Sequence, residues 1–378
     1  AQTTCTFPTF SCIIPTGPCI FKKGSCFLDS LTQIALGSAV GYAVMGKQMG
    51  KRAALHGAIL GTIPDLDVFI NYGGDVQNFT YHRGFSHSFI VHALVAPLFA
   101  WLLLRLEKMV PAKLTADDIV LPHKKQSLLR CTWMVFLVLA THALIDGFTV
   151  YGTQFLWPIT EYPFAISTLF IIDPLYTLPL LVLLVMFFIP KINPATLFKT
   201  CSAALIISTV YLAWSVVAKW HIEQLNNAAF AQANISSDLV ISTSAPMTTL
   251  LWRTVVMQED HYYEVFTSVF DRAEDVSITR YETDPSLLAS IQDKWEVQRL
   301  IWFTKGAYSV RQEEKRIILS DLRMGMEGAY VFTFEVGQIS QNGRISTSDF
   351  AQVSRRPDIS DLPKIFQRII DPSIKISP

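Results

Sequence analysis

The chain has 378 residues and no net formal charge, and it is 51% hydrophobic against 16% charged, with a mean hydropathy of +0.34. Soluble domains average about 25% charged residues, so this composition describes a membrane protein with a soluble part attached. Zero net charge gives no case for nucleic acid, and the sequence has neither a Gly-rich phosphate loop nor a CxxC pair.

Residues 1–28 form a Pro/Thr/Phe-rich stretch in which Cys5, Cys12, Cys19 and Cys26 recur every seven residues. Such spacing can mark a metal or disulfide framework. Without a starting Met, an apolar signal core or a cleavage site, the stretch reads as a doubtful, spurious or untranslated extension. Cys131 and Cys201 fall in apolar segments, where packing is their simplest role.

Six apolar runs follow as candidate spans: Ser30–Gly46, Ala53–Tyr72, Ser88–Leu104, Cys131–Phe148, Leu169–Pro190 and Thr200–Ala218. Most approach the roughly 20 residues a bilayer helix needs; the first is short and the second is interrupted at Pro64. The first is rich in Gly and Ala, which suits close helix contact. One set of alternate loops holds Lys47, Lys51, Arg52, Arg105, Lys108, Lys113, Lys124, Lys125, Arg130, Lys191 and Lys199, while the other side holds Arg83 and Lys219. That bias places the basic loops in the cytoplasm, once Lys22 and Lys23 of the doubtful extension are set aside. Asp29, Asp65, Asp67, His82, His87, His142, Asp146 and Asp173 then share the outer membrane face.

Residues 29–220 thus read as a polytopic helical bundle and 221–378 as a small soluble α+β domain outside the membrane. In the latter, Ala329–Val336 alternates like a half-buried strand, and Asn342-Gly343 signals a hairpin turn. Leu300–Phe303 is a further candidate strand.

Ionisable residues beside membrane spans point to function by default. His142 and Asp146 are four apart and share a helix face, as two ligands of one metal or as a ligand and its orienting carboxylate. A His–Asp bond that only joins helices is the plainer alternative. Asp65 and Asp67 diverge on a regular helix, but Pro64 breaks the ladder and would let both turn to one side. His82-Arg83-Gly-Phe-Ser86-His87-Ser88 supplies two imidazoles suited to zinc, a guanidinium fork for phosphate or carboxylate, and a serine, Ser86 or Ser88, to cap the next span. His56 and His92 read as structural, and Asp29 and Gln33 as outer ligands or supporting groups. Asp173-Pro174 is explained by a helix start.

Asp29-Ser-Leu-Thr-Gln33 with Ile34–Gly37, Pro64-Asp-Leu-Asp67, His82–Ser88, Thr141-His142 with Asp146, and Tyr151-Gly-Thr-Gln154 together resemble the YdjM-type inner-membrane, metal-dependent hydrolases. The resemblance covers Asp29 to about Trp220 and reaches loosely into the soluble domain at Leu250–Trp252 and Asp321–Arg323. Some members carry His near the position of Gln33. The resemblance implies a bacterial inner-membrane protein distantly similar to zinc-dependent phospholipase C, an all-helical phosphoesterase.

The expected centre is one or two Zn²⁺, with Mn²⁺ or Fe²⁺ as substitutes, held by Asp65, Asp67, His82, His87, His142 and Asp146. The metal would bring bound water to a pKa of about 7. Asp67 would act as general base and Arg83 would hold a phosphoryl oxygen of a lipid or lipid-linked substrate. The alternatives are an ion or proton transporter, which needs polar residues through the bilayer centre, and a non-catalytic protein whose metal only pins helices.

Overall fold

The computed structural model describes residues 25–109, 127–170, 172–237, 239–353 and 362–376. Most of residues 1–28 and the basic loop with Lys113, Lys124 and Lys125 lie outside the described residues, as does the side chain of Asp29.

Helix α1 (Ser25–Met49) pairs with α2 (Arg52–Thr62). The contact is backbone to backbone: a Cβ on Gly37 would overlap the Gly57 carbonyl, and one on Gly57 would overlap that of Gly37. Small residues permit this approach. Pro64 then ends α2 and starts a tight 3-10 segment, Pro64–Phe69. The short α3 (Asp75–Tyr81) leads through a single turn, Phe85–His87, into α4 (Phe89–Met109). Helix α5 (Leu128–Phe148) lies innermost, burying Met134, Val135, Val138, Leu139, His142 and Asp146 on one stripe at helical spacing. Helices α6 (Pro174–Phe188) and α7 (Pro194–Gln232) complete the helical half.

Among the described residues, α4, α5 and α7 are long and apolar enough to cross a membrane. Six such helices were expected. Helix α2 stops after 11 residues at Pro64 and α6 has only 15, so neither alone matches the roughly 20 residues of a full span. Helix α7 is 39 residues long and runs unbroken through Trp220, where the soluble domain was expected to begin. Its last turns bury Ile222, Asn226, Ala229 and Phe230.

The C-terminal half holds two antiparallel sheets. The first follows chain order in β1 (Val240–Ser244), β2 (Leu251–Met257), β3 (His261–Ser268) and β4 (Ile278–Glu282). Helix α8 (Trp295–Phe303) leads to the second sheet, β5 (Tyr308–Glu313), β6 (Arg316–Asp321), β7 (Thr333–Ile339) and β8 (Ile345–Thr347), before α9 (Leu362–Arg368). The expected hairpin at Asn342-Gly343 is present, with Ile339 opposite Ile345 and Gly343 at φ +73°. Two expectations need correction. The strand read from Ala329 starts only at Thr333, and Leu300–Phe303 is the end of α8. Val297, Leu300 and Phe303 are all buried at helical spacing, and a four-residue apolar run cannot distinguish that period from a strand.

The two halves share a core. Val76, Phe79 and Tyr151 pack with Phe303, Phe332 and Phe334, with the Phe79 ring 4.4–5.5 Å from the other four aromatic rings. Arg323, paired with Asp321 at 2.7 Å, donates to the Tyr151 carbonyl at 3.3 Å. The second sheet therefore sits on the face of the helical half where α2 ends, α4 begins and α5 ends.

Candidate metal centre

At that face Asp65, His87, His142 and Asp146 each bring one ligand atom within 4.8 Å of all the others. Two breaks in the helices and one helix end make this possible. The 3-10 segment at Pro64 delivers Asp65, the Phe85–His87 turn delivers His87, and the last turns of α5 deliver His142 and Asp146.

Nε2 of His87 lies 3.2 Å from Nε2 of His142, 3.5 Å from Asp65 Oδ1 and 3.0 Å from Asp146 Oδ2. Nε2 of His142 lies 3.3 Å from Asp65 Oδ1 and 3.5 Å from Asp146 Oδ2. A tetrahedron with metal–ligand bonds of about 2.0–2.1 Å has edges of roughly 3.3–3.4 Å, close to these five separations. Asp146 Oδ2 is buried and accepts no hydrogen bond.

For neutral imidazoles, the hydrogen bonds at the back of each ring assign the tautomer. His142 Nδ1 donates to the Gly61 carbonyl at 2.7 Å, which leaves its Nε2 as a lone pair. Ser86 Oγ donates to Asp67 Oδ2 at 2.6 Å; having given its only proton, it accepts from His87 Nδ1 at 2.9 Å. His87 Nε2 is then also a lone pair. With both imidazoles neutral, two ring lone pairs and two carboxylate oxygens converge with no donor among them, and a cation would satisfy all four. The donor set therefore fits a divalent metal.

Asp67 and His82, expected as ligands, stand outside this group. A 3-10 helix has 3.0 residues per turn, so residues two apart point about 120° from each other. Asp65 turns toward the histidines, while Asp67 turns to the following loop. There it accepts from His82 Nδ1 at 2.8 Å, Arg83 N at 3.0 Å and Ser86 Oγ. It acts on the centre through Ser86, as a carboxylate that orients a ligating histidine. His82 is part-exposed, with its ring 6.2 Å from that of His87.

Arg83 adopts φ +60° and is buried. Its guanidinium donates to Thr149 Oγ1 at 3.0 Å, lies 3.4 Å from Asp146 Oδ1 and stacks over Tyr151. Gln33 Nε2 donates to the same Asp146 oxygen at 3.1 Å, so both residues brace that carboxylate. Ser88 caps α4 by accepting from Ile90 and Val91. His92 donates to the Ser86 carbonyl at 2.7 Å and holds the turn. His56 pairs with Glu107 at 2.6 Å near the middle of α2, and Asp173 caps α6. Each of the three thus has a local partner, in the structural setting read for His56 and His92 and at the helix start read for Asp173. Sequence reasoning gave no part to Thr149 or the Gly61 carbonyl, and it read Ser86 only as a cap. Ser86 could have been found as the one hydroxyl inside a His-x-x-x-x-His motif.

No curated protein and no solved structure matches the chain. A family model described as YdjM inner membrane protein matches residues 28–222, more than half of the chain and the whole of the segment that builds this centre. The chain belongs to the YdjM inner membrane protein family.

Proposed function

We propose that the protein is a membrane-bound, metal-dependent hydrolase acting on a phosphoester of a lipid or lipid-linked substrate at the membrane–water boundary. The observation that carries this reading is the convergence of four acceptors, from Asp65, His87, His142 and Asp146, at the ends of membrane helices. Zn²⁺ is the first candidate, with Mn²⁺ or Fe²⁺ as alternatives; a metal held there supplies Lewis acidity and activates water. We take α1, α2 with its 3-10 continuation, and α6 as the remaining membrane segments, and the charge bias of the loops as placing the centre on the outer face.

The chain's own groups then divide the work. The Asp65 side chain is 21% exposed whereas those of His87, His142 and Asp146 are at most 4% exposed, so substrate approaches past Asp65. His82, oriented by Asp67 and open to solvent, carries protons at the mouth, in place of the general-base role first read for Asp67. Arg83 keeps Asp146 in place and adds positive charge beside it, more an organiser of the site than a phosphate clamp.

One feature favours a second reading, a purely structural metal: four protein donors suffice to close a tetrahedron. The deciding experiment loads purified protein with Co²⁺, reads the coordination number spectroscopically, and assays phospholipid hydrolysis on the same preparation. Five or six ligands with turnover supports the hydrolase. A closed four-coordinate ion without turnover on any phosphoester sinks it.

A further inference from the structure

One end of the first sheet carries apolar side chains left uncovered among the described residues. Met247 is 39% exposed in the β1–β2 turn, Phe270 67% just after β3, and Phe366 and Ile370 46% and 83% in and after α9. They belong to one surface. Val269 N donates to the Leu250 carbonyl at 2.9 Å, Ser268 Oγ donates to the Ile369 carbonyl at 2.6 Å, and Arg368 pairs with Asp271 at 2.6 Å.

Helix α7 fixes the depth of this surface. Tyr211 and Trp214 reach Thr249 Oγ1 at 3.0 and 3.1 Å, and His221 Nε2 donates to the Val269 carbonyl at 3.3 Å. Over the same turns α7 presents exposed Val210, Trp214, Val216, Val217 and Trp220, and its first ionisable residues after the apolar run are Lys219, His221 and Glu223. At about 1.5 Å per residue, Tyr211 and Trp214 lie roughly 6–10 Å below Ala218, the end of the apolar run. Interfacial apolar side chains sit at about 5–10 Å. Thr249 is thus held at headgroup depth or below, and the exposed apolar tips beside it continue the lipid-facing surface of α7.

We propose that the C-terminal domain is seated in the lipid interface through this sheet end, with Met247, Phe270, Phe366 and Ile370 immersed in the bilayer that α7 crosses. The domain is then held at three places, along α7, at the Phe79–Tyr151 core beside the metal centre, and in the lipid. The occupant is the bilayer itself, because the patch is continuous with a membrane-spanning surface at matching depth.

The test uses the full chain in lipid nanodiscs. Cys5, Cys12, Cys19 and Cys26 are replaced by Ser and the buried Cys131 and Cys201 are kept. Single cysteines are then placed at Met247, Phe270 or Ile370, with Val210 as the lipid reference and Asn342, exposed in the β7–β8 turn, as the water reference. Each receives a nitroxide, and its access to oxygen and to a water-soluble nickel chelate is measured. The three test positions should resemble Val210, with nickel access several-fold below that at Asn342. Nickel access equal to Asn342 at all three would overturn the proposal. Dipolar broadening between labels on neighbouring chains would overturn it in favour of a contact between copies.

Discussion

At His87 the face of the imidazole that meets the centre is set by what happens on the opposite edge. Ser86 sits between Nδ1 and Asp67, so a single hydroxyl fixes both the tautomer and the tilt of the ring. Removing such an orienting partner typically weakens metal affinity about 10–100-fold. Ser86→Ala should therefore retain metal at saturation yet raise the dissociation constant at least about tenfold, measured by competition with a chelator. Wild-type affinity would remove Ser86 from the chain of support. His87→Ala and His142→Ala should instead lose metal from the purified protein, read by elemental analysis, and full occupancy in both would dismiss them as ligands.

At the scale of elements, the α1–α2 contact sets the position of the Gly61 carbonyl that orients His142. Gly57 faces Gly37 and Gly41 with no room for a Cβ. Overpacking of a tight contact costs about 1–3 kcal/mol, and here the helices have to separate. Gly57→Ala should lower the thermal midpoint in detergent and the metal occupancy together. Loss of stability with full occupancy would show that α2 can shift without moving the centre. The 3-10 segment after Pro64 works in the opposite sense. Its tighter winding separates Asp65 from Asp67, giving one carboxylate to the metal group and the other to the loop that carries His82, Arg83 and Ser86.

Across the whole molecule, the two halves meet where Lys305 lies over the Tyr162 ring at 5.2 Å. Burial, and then the charges of Arg323 and Lys219, push the Lys305 amine down from 10.5 to about 8. The folded state thus disfavours the charged form. The penalty is complete below about 8 and fades as pH rises toward 10.5, where the unfolded chain also releases its proton. Lys305→Met should raise the thermal midpoint at pH 7, and its advantage over wild type should shrink between pH 8 and 10. A gap independent of pH would refute this origin. Sidedness can be checked in intact cells: an impermeant thiol reagent should label a cysteine at Ile159, on the face of the centre, and not one at Lys191, at the far end. The opposite pattern would invert the placement of the site.

Composition and apolar run length determine by themselves that this is a membrane protein, because the cost of burying charge in lipid is local to each segment, and alternation with the Asn342-Gly343 turn marks strands in its α+β half. The six-residue ligand list was legible for a similar reason, since ionisable groups at span ends have few other uses, and four of those residues do converge. Which four they are was not legible. The split of Asp65 from Asp67 follows from the pitch of a 3-10 turn, and the use of Ser86 as a link follows from a loop folding back on that turn. That α2 and α6 fall short of full-length spans depended on where Pro64 ends α2 and how early α6 stops. The assignment of Leu300–Phe303 to a helix depended on a core shared with Phe79 and Tyr151, far away in the chain. Period and polarity are properties of neighbouring residues, whereas a ligand set and a domain seat are distances between remote ones, and only the packed chain brings those distances into being.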